Sequence, residues 1–318
     1  MSIRALLACA RGQTFENCMP QCWRFRDIVV GISAIFMAPA SPISPEERQR
    51  IVDLSLKVRE GILRVVHESG SGHVGGALSQ TDILSVLYTS YLRFDPKRPD
   101  WPERDRFVLS KGHGGIGFVV LLAECGLIRH EELSTFGRTG SALGMHLDHR
   151  RVPGVEVSTG SLGHGLGVAV GMALGAKMKG LPSRVFCLLS DGECYEGSTW
   201  EAAMAARALE LKNLCAIIDR NRLTMDGFTE EEAPLEPLVD KWKAFGFRVM
   251  PCDGHDPEQL CRAFDAALEP AANGPSVIIA STVKGKGVDF MEDQPQWHYG
   301  SLDTEMYARA LASVRKGR

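Results

Sequence analysis

The sequence of 318 residues lacks several features that would place it in a particular class of protein. No two of its nine cysteines form a C-x-x-C pair, and its histidines do not show the paired spacing of zinc ligands. Both observations argue against a zinc site. The net charge is −3 and no basic cluster stands out, so we expect no nucleic-acid partner. No apolar run is long enough to cross a membrane, and we expect no membrane association. Hydrophobic residues make up 44% of this otherwise ordinary globular composition, and its scattered thiols fit a reducing cytoplasm.

The first forty residues differ in composition from those that follow. They contain three cysteines, scattered arginines and a short apolar patch, without the ordered layout of a signal peptide. They also contain acidic residues, which are unusual in a transit peptide. We therefore predict a disordered or misassigned leader over 1–40 and one folded domain over 41–318.

Short apolar runs alternate with segments of helical spacing through the rest of the chain. Continuous apolar runs are typical of strands that are buried on both faces of a parallel sheet. The alternation predicts an α/β fold with a single doubly wound, mostly parallel sheet and helices on both faces. The predicted strands cover residues 106–110, 155–157, 185–190, 214–218, 247–250 and 277–281.

Polar side chains follow two of these predicted strands. Asp191 comes directly after one, and Asn221 follows the next, thirty residues later. Ligands of open α/β sheets bind at the carboxyl ends of the strands. Mg²⁺ prefers oxygen ligands, which the Asp191 carboxylate, the Asn221 amide and the Leu223 carbonyl offer, and Gly192 lets backbone N–H groups approach a phosphate. Each of these short segments taken alone is an ordinary turn after a strand.

Five glycine-rich motifs stand in one order along the chain. They occupy residues 71–76, 110–114, 153–165, 191–227 and 281–287, the last followed by Trp297-His298. Together they resemble the N-terminal, diphosphate-binding half of transketolase, and most of all the families in which transketolase is split into two chains. The resemblance covers about residues 45–305. It implies the thiamine diphosphate-binding fold, with thiamine diphosphate and Mg²⁺ as cofactors.

The resemblance implies cofactor-binding roles for the matching positions. Mg²⁺ would be bound by Asp191, Asn221 and the backbone carbonyl of Leu223. Glu196 matches an acid that lies at the interface between paired chains and couples the two cofactor sites. The residues expected to contact the cofactor are His113, Gly160, Ser161, Leu162, Gly192, Glu196 and Asn221.

Four histidines match the active-site histidines of the family. His73, His113, His146 and His298 would line the channel, bind substrate hydroxyls and relay protons as catalytic residues. Imidazole suits this work because its ordinary pKa of about 6.5 lets it donate or accept near neutrality. A lone histidine beside glycine is more often a turn or core residue, so the expectation depends on the whole motif series.

The chain departs from the family pattern at two positions beside the predicted metal site. Ser190 replaces the usual glycine before the aspartate, and Arg220 precedes the asparagine. In full-length members a second domain supplies the glutamate, the aromatic pocket and the arginines that complete the site. The resemblance therefore implies a separate C-terminal subunit in an α2β2 assembly.

The implied activity is transfer of a two-carbon ketol group from a ketose or its phosphate to an aldose or its phosphate. The sugars stay open, with pentose phosphates and rarer sugars both compatible. Three alternatives also stay open. The chain could be a non-catalytic partner that binds Mg²⁺ and diphosphate, or a related two-carbon or acyl-transfer half such as one for deoxyxylulose phosphate. The third alternative is a nicotinamide oxidoreductase, because Gly112-x-Gly114-x-x-Gly117 has the glycine spacing of the dinucleotide-binding fingerprint.

Overall fold

The strands of the described residues lie in one parallel sheet. The computed structural model describes residues 43–269 and 273–317, so the predicted leader over 1–40 lies outside the described residues. The strands are β1 (Arg106–Leu109), β2 (Val185–Ser190), β3 (Leu214–Arg220), β4 (Arg248–Asp253) and β5 (Ser276–Ser281). They pair in the order β1-β2-β3-β5-β4, and every neighbouring pair is parallel, as predicted.

Helices cover both faces of the sheet. Alternate residues of β3 face opposite ways, so Cys215 and Ile217 join one hydrophobic core while Ala216 and Ile218 join the other. The helices are α1 (Pro45–Ser69), α2 (Val74–Ser79), α3 (Thr81–Val86), α4 (Gly115–Glu124), α5 (Gly165–Met178), α6 (Gly197–Ala208), α7 (Thr229–Glu232), α8 (Leu238–Ala244), α9 (Pro257–Ala267) and α10 (Thr304–Lys316). The first core is closed by α1, α2, α3, α4, α9 and α10, and the second by α5, α6 and α8.

Side-chain caps begin three of the longer helices. Ser44 accepts from the backbone of Glu47 at the start of α1, and Asp256 and Asp303 cap α9 and α10 in the same way. At the other end of α1, Gly70 takes a φ of 78°, the left-handed conformation that glycine adopts without strain. None of the helices among the described residues combines the length and the apolar character that a membrane span requires.

The predicted strand over 155–157 is wrong. These residues lie in a loop between α4 and α5. Their side chains serve other contacts, since Glu156 forms ion pairs with Arg104 and Arg106. The loop is attached to the sheet by a side-chain hydrogen bond and not by backbone strand pairing: Thr159 Oγ1 donates to the carbonyl of Leu109 at 2.6 Å. The loop therefore closes over the carboxyl end of β1.

Candidate functional site

The predicted Mg²⁺ ligands Asp191, Asn221 and the Leu223 carbonyl, which we call the clamp, follow the carboxyl ends of β2 and β3. The Asp191 side chain is 1% exposed, and its Oδ2 accepts from the backbone N–H of Arg222 at 2.6 Å. Its Oδ1 accepts from the N–H of Gly192 at 2.8 Å. Asn221 Oδ1 accepts from the N–H of Leu223 at 3.1 Å. The turn after β3 therefore wraps around one carboxylate and one amide oxygen.

This set of oxygens fits a hard divalent cation that also binds a diphosphate. Each carboxylate, amide or carbonyl oxygen has more than one lone pair, so the hydrogen bonds already made do not exhaust them. Across residues 43–269 and 273–317, no three His, Cys, Asp or Glu side chains form a metal-holding group. A cation at Asp191 would therefore rely on Asn221, the Leu223 carbonyl, water and phosphate oxygens. The metal-binding role of these three residues stays a prediction.

The structure brings the four predicted histidines together. The ring centroid of His73 lies 5.5 Å from that of His113, 6.1 Å from that of His146 and 5.4 Å from that of His298. His113 and His298 stack at 5.4 Å, and Tyr299 packs on His73 at 4.8 Å. His73 lies directly before α2, and His113 lies in the turn between β1 and α4. Residues far apart in sequence thus form one imidazole cluster, while their catalytic roles stay a prediction.

Three of the four imidazoles are neutral at physiological pH. Burial, followed by the charges of His146 and Lys284, lowers the pKa of His73 to about 4. Burial and Lys111 lower the pKa of His113 to about 2, and burial and Lys284 lower that of His298 to about 3. The cluster is therefore suited to exchanging hydrogen bonds as neutral imidazoles and opposes the lasting uptake of a proton. Nδ1 of His73 is buried and has no hydrogen-bond partner among the described residues.

Lys284, one of two buried lysines beside the site, joins the imidazole cluster to the clamp. Lys284 Nζ donates to Nδ1 of His298 at 2.8 Å and to the carbonyls of Thr224 at 2.7 Å and Leu223 at 3.3 Å. Burial and the charge of Lys111 lower the pKa of Lys284 to about 8. Because the Lys111 ammonium is already paired with Asp219, Lys284 is available to offset the charge of an anionic ligand. Lys111 and Lys284 lie within two of the glycine-rich motifs, 110–114 and 281–287, but the sequence alone gave no reason to assign them a role.

Lys111 is held by a fully buried ion pair. Its Nζ lies 2.5 Å from Oδ2 of Asp219 and donates to the carbonyl of Gly76 at 2.9 Å. Burial opposes ionisation of Asp219, but the Lys111 ammonium and the hydrogen bonds from Lys111, Ser79 and Thr282 together lower the pKa of that carboxyl. Ser79 also donates to Asp219, at 2.6 Å, and Asn221 Nδ2 lies 3.4 Å from the same oxygen. The carboxyl end of β3 is thereby fixed to α2 and to the turn after β1.

Glu193 performs the same positioning task between β2 and the loop before α5. It is fully buried, and its carboxylate accepts from the N–H of Gly163 at 2.9 Å and from the N–H of Ser190 at 2.9 Å. The hydroxyl of Ser110 donates to it at 2.5 Å. Burial raises the pKa of Glu193 despite these donors. One side chain therefore fixes the ends of β1 and β2 relative to the loop that holds the predicted cofactor contacts.

The remaining predicted cofactor residues lie on the open rim of this site. Gly160 and Ser161 are exposed and Leu162 is half-buried, in the loop that leads into α5. A Cβ atom on Gly160 would lie 3.2 Å from Cδ2 of His146, so glycine lets this loop approach the imidazole cluster. Glu196 precedes α6 and is exposed. The structure brings these residues to the same edge, and their cofactor contacts stay a prediction.

The glycines of the dinucleotide-like match serve close packing. A Cβ atom on Gly112 would lie 2.6 Å from the backbone of Thr159, and one on Gly114 would lie 2.6 Å from Gln80 Oε1. Gly117 is enclosed by Gln80 and Ala77. A dinucleotide fingerprint needs its glycines open to a pyrophosphate. The packing of this turn therefore argues against the nicotinamide alternative.

Comparison with known proteins identifies relatives along most of the chain. Residues 55–311 match the family described as "Transketolase, thiamine diphosphate binding domain". The 6-deoxy-6-sulfo-D-fructose transketolase subunit SqwG of Clostridium sp. (strain MSTE9) is 44% identical over 259 residues, which are 81% of this chain and 94% of that protein. An apulose-4-phosphate transketolase subunit of Phocaeicola vulgatus is 43% identical, over 82% of this chain and 92% of that protein.

Full-length transketolases match over only part of their length. Human transketolase is 36% identical over 85% of this chain and 42% of its own sequence. The solved transketolase of Leishmania mexicana has a TM-score of 0.78 and 31% identity, over 83% of this chain and 41% of that chain. The matched part is the thiamine diphosphate-binding region that the sequence predicts, and two relatives of similar length are named as subunits. The chain belongs to the transketolase family, as its N-terminal, thiamine diphosphate-binding subunit.

Proposed function

We propose that this chain acts with a separate C-terminal subunit to transfer a two-carbon ketol group from a ketose to an aldose. One observation carries the proposal: Lys284 connects the imidazole cluster at His298 to the clamp turn at Leu223. A diphosphate anchor alone needs the clamp and a cation but no histidine cluster. The four histidines therefore favour a catalytic subunit over a non-catalytic partner that only binds Mg²⁺ and diphosphate.

The residues of the site divide into an anchoring group and a proton-handling group. Asp191, Asn221 and the Leu223 carbonyl would bind Mg²⁺, and Lys284 would offset the charge of the diphosphate. Thiamine diphosphate, when bound, supplies the carbanion chemistry, while the protein supplies orientation and electrostatics. The neutral imidazoles would exchange hydrogen bonds with sugar hydroxyls and relay protons at substrate oxygens, each proton leaving as another arrives, because their lowered pKa values oppose a lasting positive charge. Nδ1 of His73 offers a buried nitrogen for such a contact.

A partner subunit would supply the other wall of the site. His146, Gly160 and Tyr299 are exposed in this chain, although they surround the predicted reaction centre. Two relatives that match along more than nine-tenths of their length are named as transketolase subunits. We expect a C-terminal subunit that binds the pyrimidine ring, in an α2β2 complex. The described cysteines are all free thiols, in keeping with a reducing cytoplasm.

The sugar class follows from the names of the relatives and is part of the proposal. Those names specify a sulfonated ketose and a ketose phosphate. We therefore expect a donor ketose with a terminal anionic group, among which pentose phosphates are the first to test. A screen of phosphorylated and sulfonated ketoses with aldose acceptors, using the two-subunit complex, would identify the pair.

Replacing Asp191 by Ala tests the anchoring part of the proposal. In the two-subunit complex we expect Asp191→Ala to abolish Mg²⁺-dependent binding of thiamine diphosphate, measured by calorimetry. Asp240→Ala is the matched control, because it also removes one aspartate, but from α8, where the side chain is 69% exposed. Unchanged cofactor affinity in Asp191→Ala would refute the clamp, whereas loss in both variants would show a general defect.

A further inference from the structure

We propose that Arg220, Glu230 and Glu236 set the divalent-cation affinity of Asp191 and couple that affinity to the order of segment 222–236. The inference rests on the proposed metal-binding role of Asp191. Arg220 directly precedes the clamp asparagine, Asn221, and is the position at which the sequence departs from the family pattern. We call Asp191, Arg220, Glu230 and Glu236 the counter-charge cluster.

The guanidinium of Arg220 contacts all three acids of the counter-charge cluster. The side chain is 3% exposed, and its Nη1 donates to Oδ2 of Asp191 at 3.1 Å and to Oγ1 of Thr229 at 2.7 Å. Its Nη2 donates to Oε1 of Glu230 at 2.8 Å and to Oε1 of Glu236 at 3.0 Å. A planar fork with several donors makes this set of contacts, which a single ammonium group cannot reproduce.

The two glutamates restore the negative charge that a cation needs. Arg220 beside Asp191 alone would form a neutral pair, and its positive charge would oppose a divalent cation on the same carboxylate. With Glu230 and Glu236 included, three negative charges and one positive charge give the cluster a formal net charge of −2. This charge is equal and opposite to that of a divalent cation. The glutamates thus permit a guanidinium to stand beside a metal-binding carboxylate.

The same glutamates hold the segment that follows the clamp. Glu230 Oε1 accepts from the N–H of Leu235 at 3.1 Å, and Glu236 Oε2 accepts from the N–H of Leu238 at 2.8 Å. Tyr195 also donates to the carbonyl of Thr229 at 3.2 Å. Arg220 therefore links the predicted metal carboxylate to both ends of a turn that runs from α7 to α8. Loss of the glutamates would release this turn as well as lower the negative charge.

A charge-matched pair of double variants tests the electrostatic part. In the two-subunit complex with thiamine diphosphate, Mg²⁺ would be titrated by calorimetry into wild type, Glu230→Gln/Glu236→Gln and Glu231→Gln/Glu232→Gln. We expect the first variant to bind Mg²⁺ about tenfold more weakly, because it lacks two partly exposed negative charges that attract the divalent ion. The second also loses two charges, but Arg220 has no hydrogen bond to Glu231 or Glu232 among its described contacts. We expect its affinity to stay within about twofold of wild type.

Proteolysis tests the coupling to segment 222–236. Arg222 is exposed, so trypsin cleavage after it, followed by mass spectrometry, reports the order of this turn. We expect Arg220→Lys and the Glu230/Glu236 variant to be cleaved faster than wild type. We also expect Mg²⁺ with thiamine diphosphate to slow cleavage in wild type and less in these variants.

The outcomes separate this inference from the proposed function. Equal Mg²⁺ affinities in the two double variants, or equal cleavage rates in all proteins, would overturn the role of the counter-charge cluster and leave the clamp intact. A wild-type complex that binds no Mg²⁺ would overturn both the clamp and this inference.

Discussion

Replacing Lys111 by Met removes the cation of a fully buried ion pair. Lys111 and Asp219 are both 0% exposed, and their charged atoms lie 2.5 Å apart. Methionine fills a similar volume, so the main change is an unpaired carboxylate in the interior. Breaking a buried pair by removing one partner costs about 3–5 kcal/mol of unfolding free energy. Hydroxyl donors from Ser79 and Thr282 remain on Asp219, so we expect a loss of about 3 kcal/mol, the lower end of this range.

Urea unfolding measures this loss directly, and two further variants control it. Lys243→Met removes a lysine whose side chain is 49% exposed and pairs with Asp240 at 3.4 Å, so we expect at most about 1 kcal/mol. Lys111→Met/Asp219→Asn also removes the unpaired carboxylate. We therefore expect the double variant to lose less unfolding free energy than the sum of its two single variants. A Lys111→Met loss below about 1 kcal/mol, similar to that of Lys243→Met, would refute the reasoning.

Two other predictions test the site and its packing. Because burial and Lys111 lower the pKa of His113 to about 2, the unfolded chain binds a proton below pH about 6.5 that the folded chain excludes, and stability falls as pH drops from 6.5 toward 4. His113→Gln should reduce this slope by up to about 1.4 kcal/mol per pH unit in urea unfolding, and an unchanged slope would contradict the pKa. Gly165→Ala should lose about 1–3 kcal/mol, because its Cβ would lie 2.3 Å from Ser110 Oγ. Gly171→Ala, whose Cβ meets nothing within 4 Å, should lose nothing, and equal effects would contradict the packing.

The sheet was predictable wherever the apolar pattern was continuous. The runs of β2 and β3 lie buried along their whole length, so their sequences indicate strands without any knowledge of the partners. The short segment 155–157 alternates as a strand would, but side-chain contacts of the loop determine its conformation. Helix α10 was not predicted, although Asp303 supplies the cap signal that begins it.

The site was predictable in outline but not in its charges. Motif order indicated the histidines, but only the fold brings His73 and His298 to 5.4 Å. Lysine is almost never fully buried unless it is paired, so Lys111 gave no signal of burial. Its partner Asp219 lies 108 residues away, which no local pattern reveals. The sequence marked Arg220 as a departure, and the structure shows the three acids that surround it.

Dependence of ketol transfer on a second subunit is the most direct test of the proposed function. The chain would be purified alone and together with its C-terminal transketolase subunit, and both preparations would be assayed with thiamine diphosphate, Mg²⁺, a ketose phosphate and an aldose phosphate. We predict two-carbon transfer by the complex and none by the isolated chain. Transfer by the isolated chain at the rate of the complex would contradict the two-subunit site.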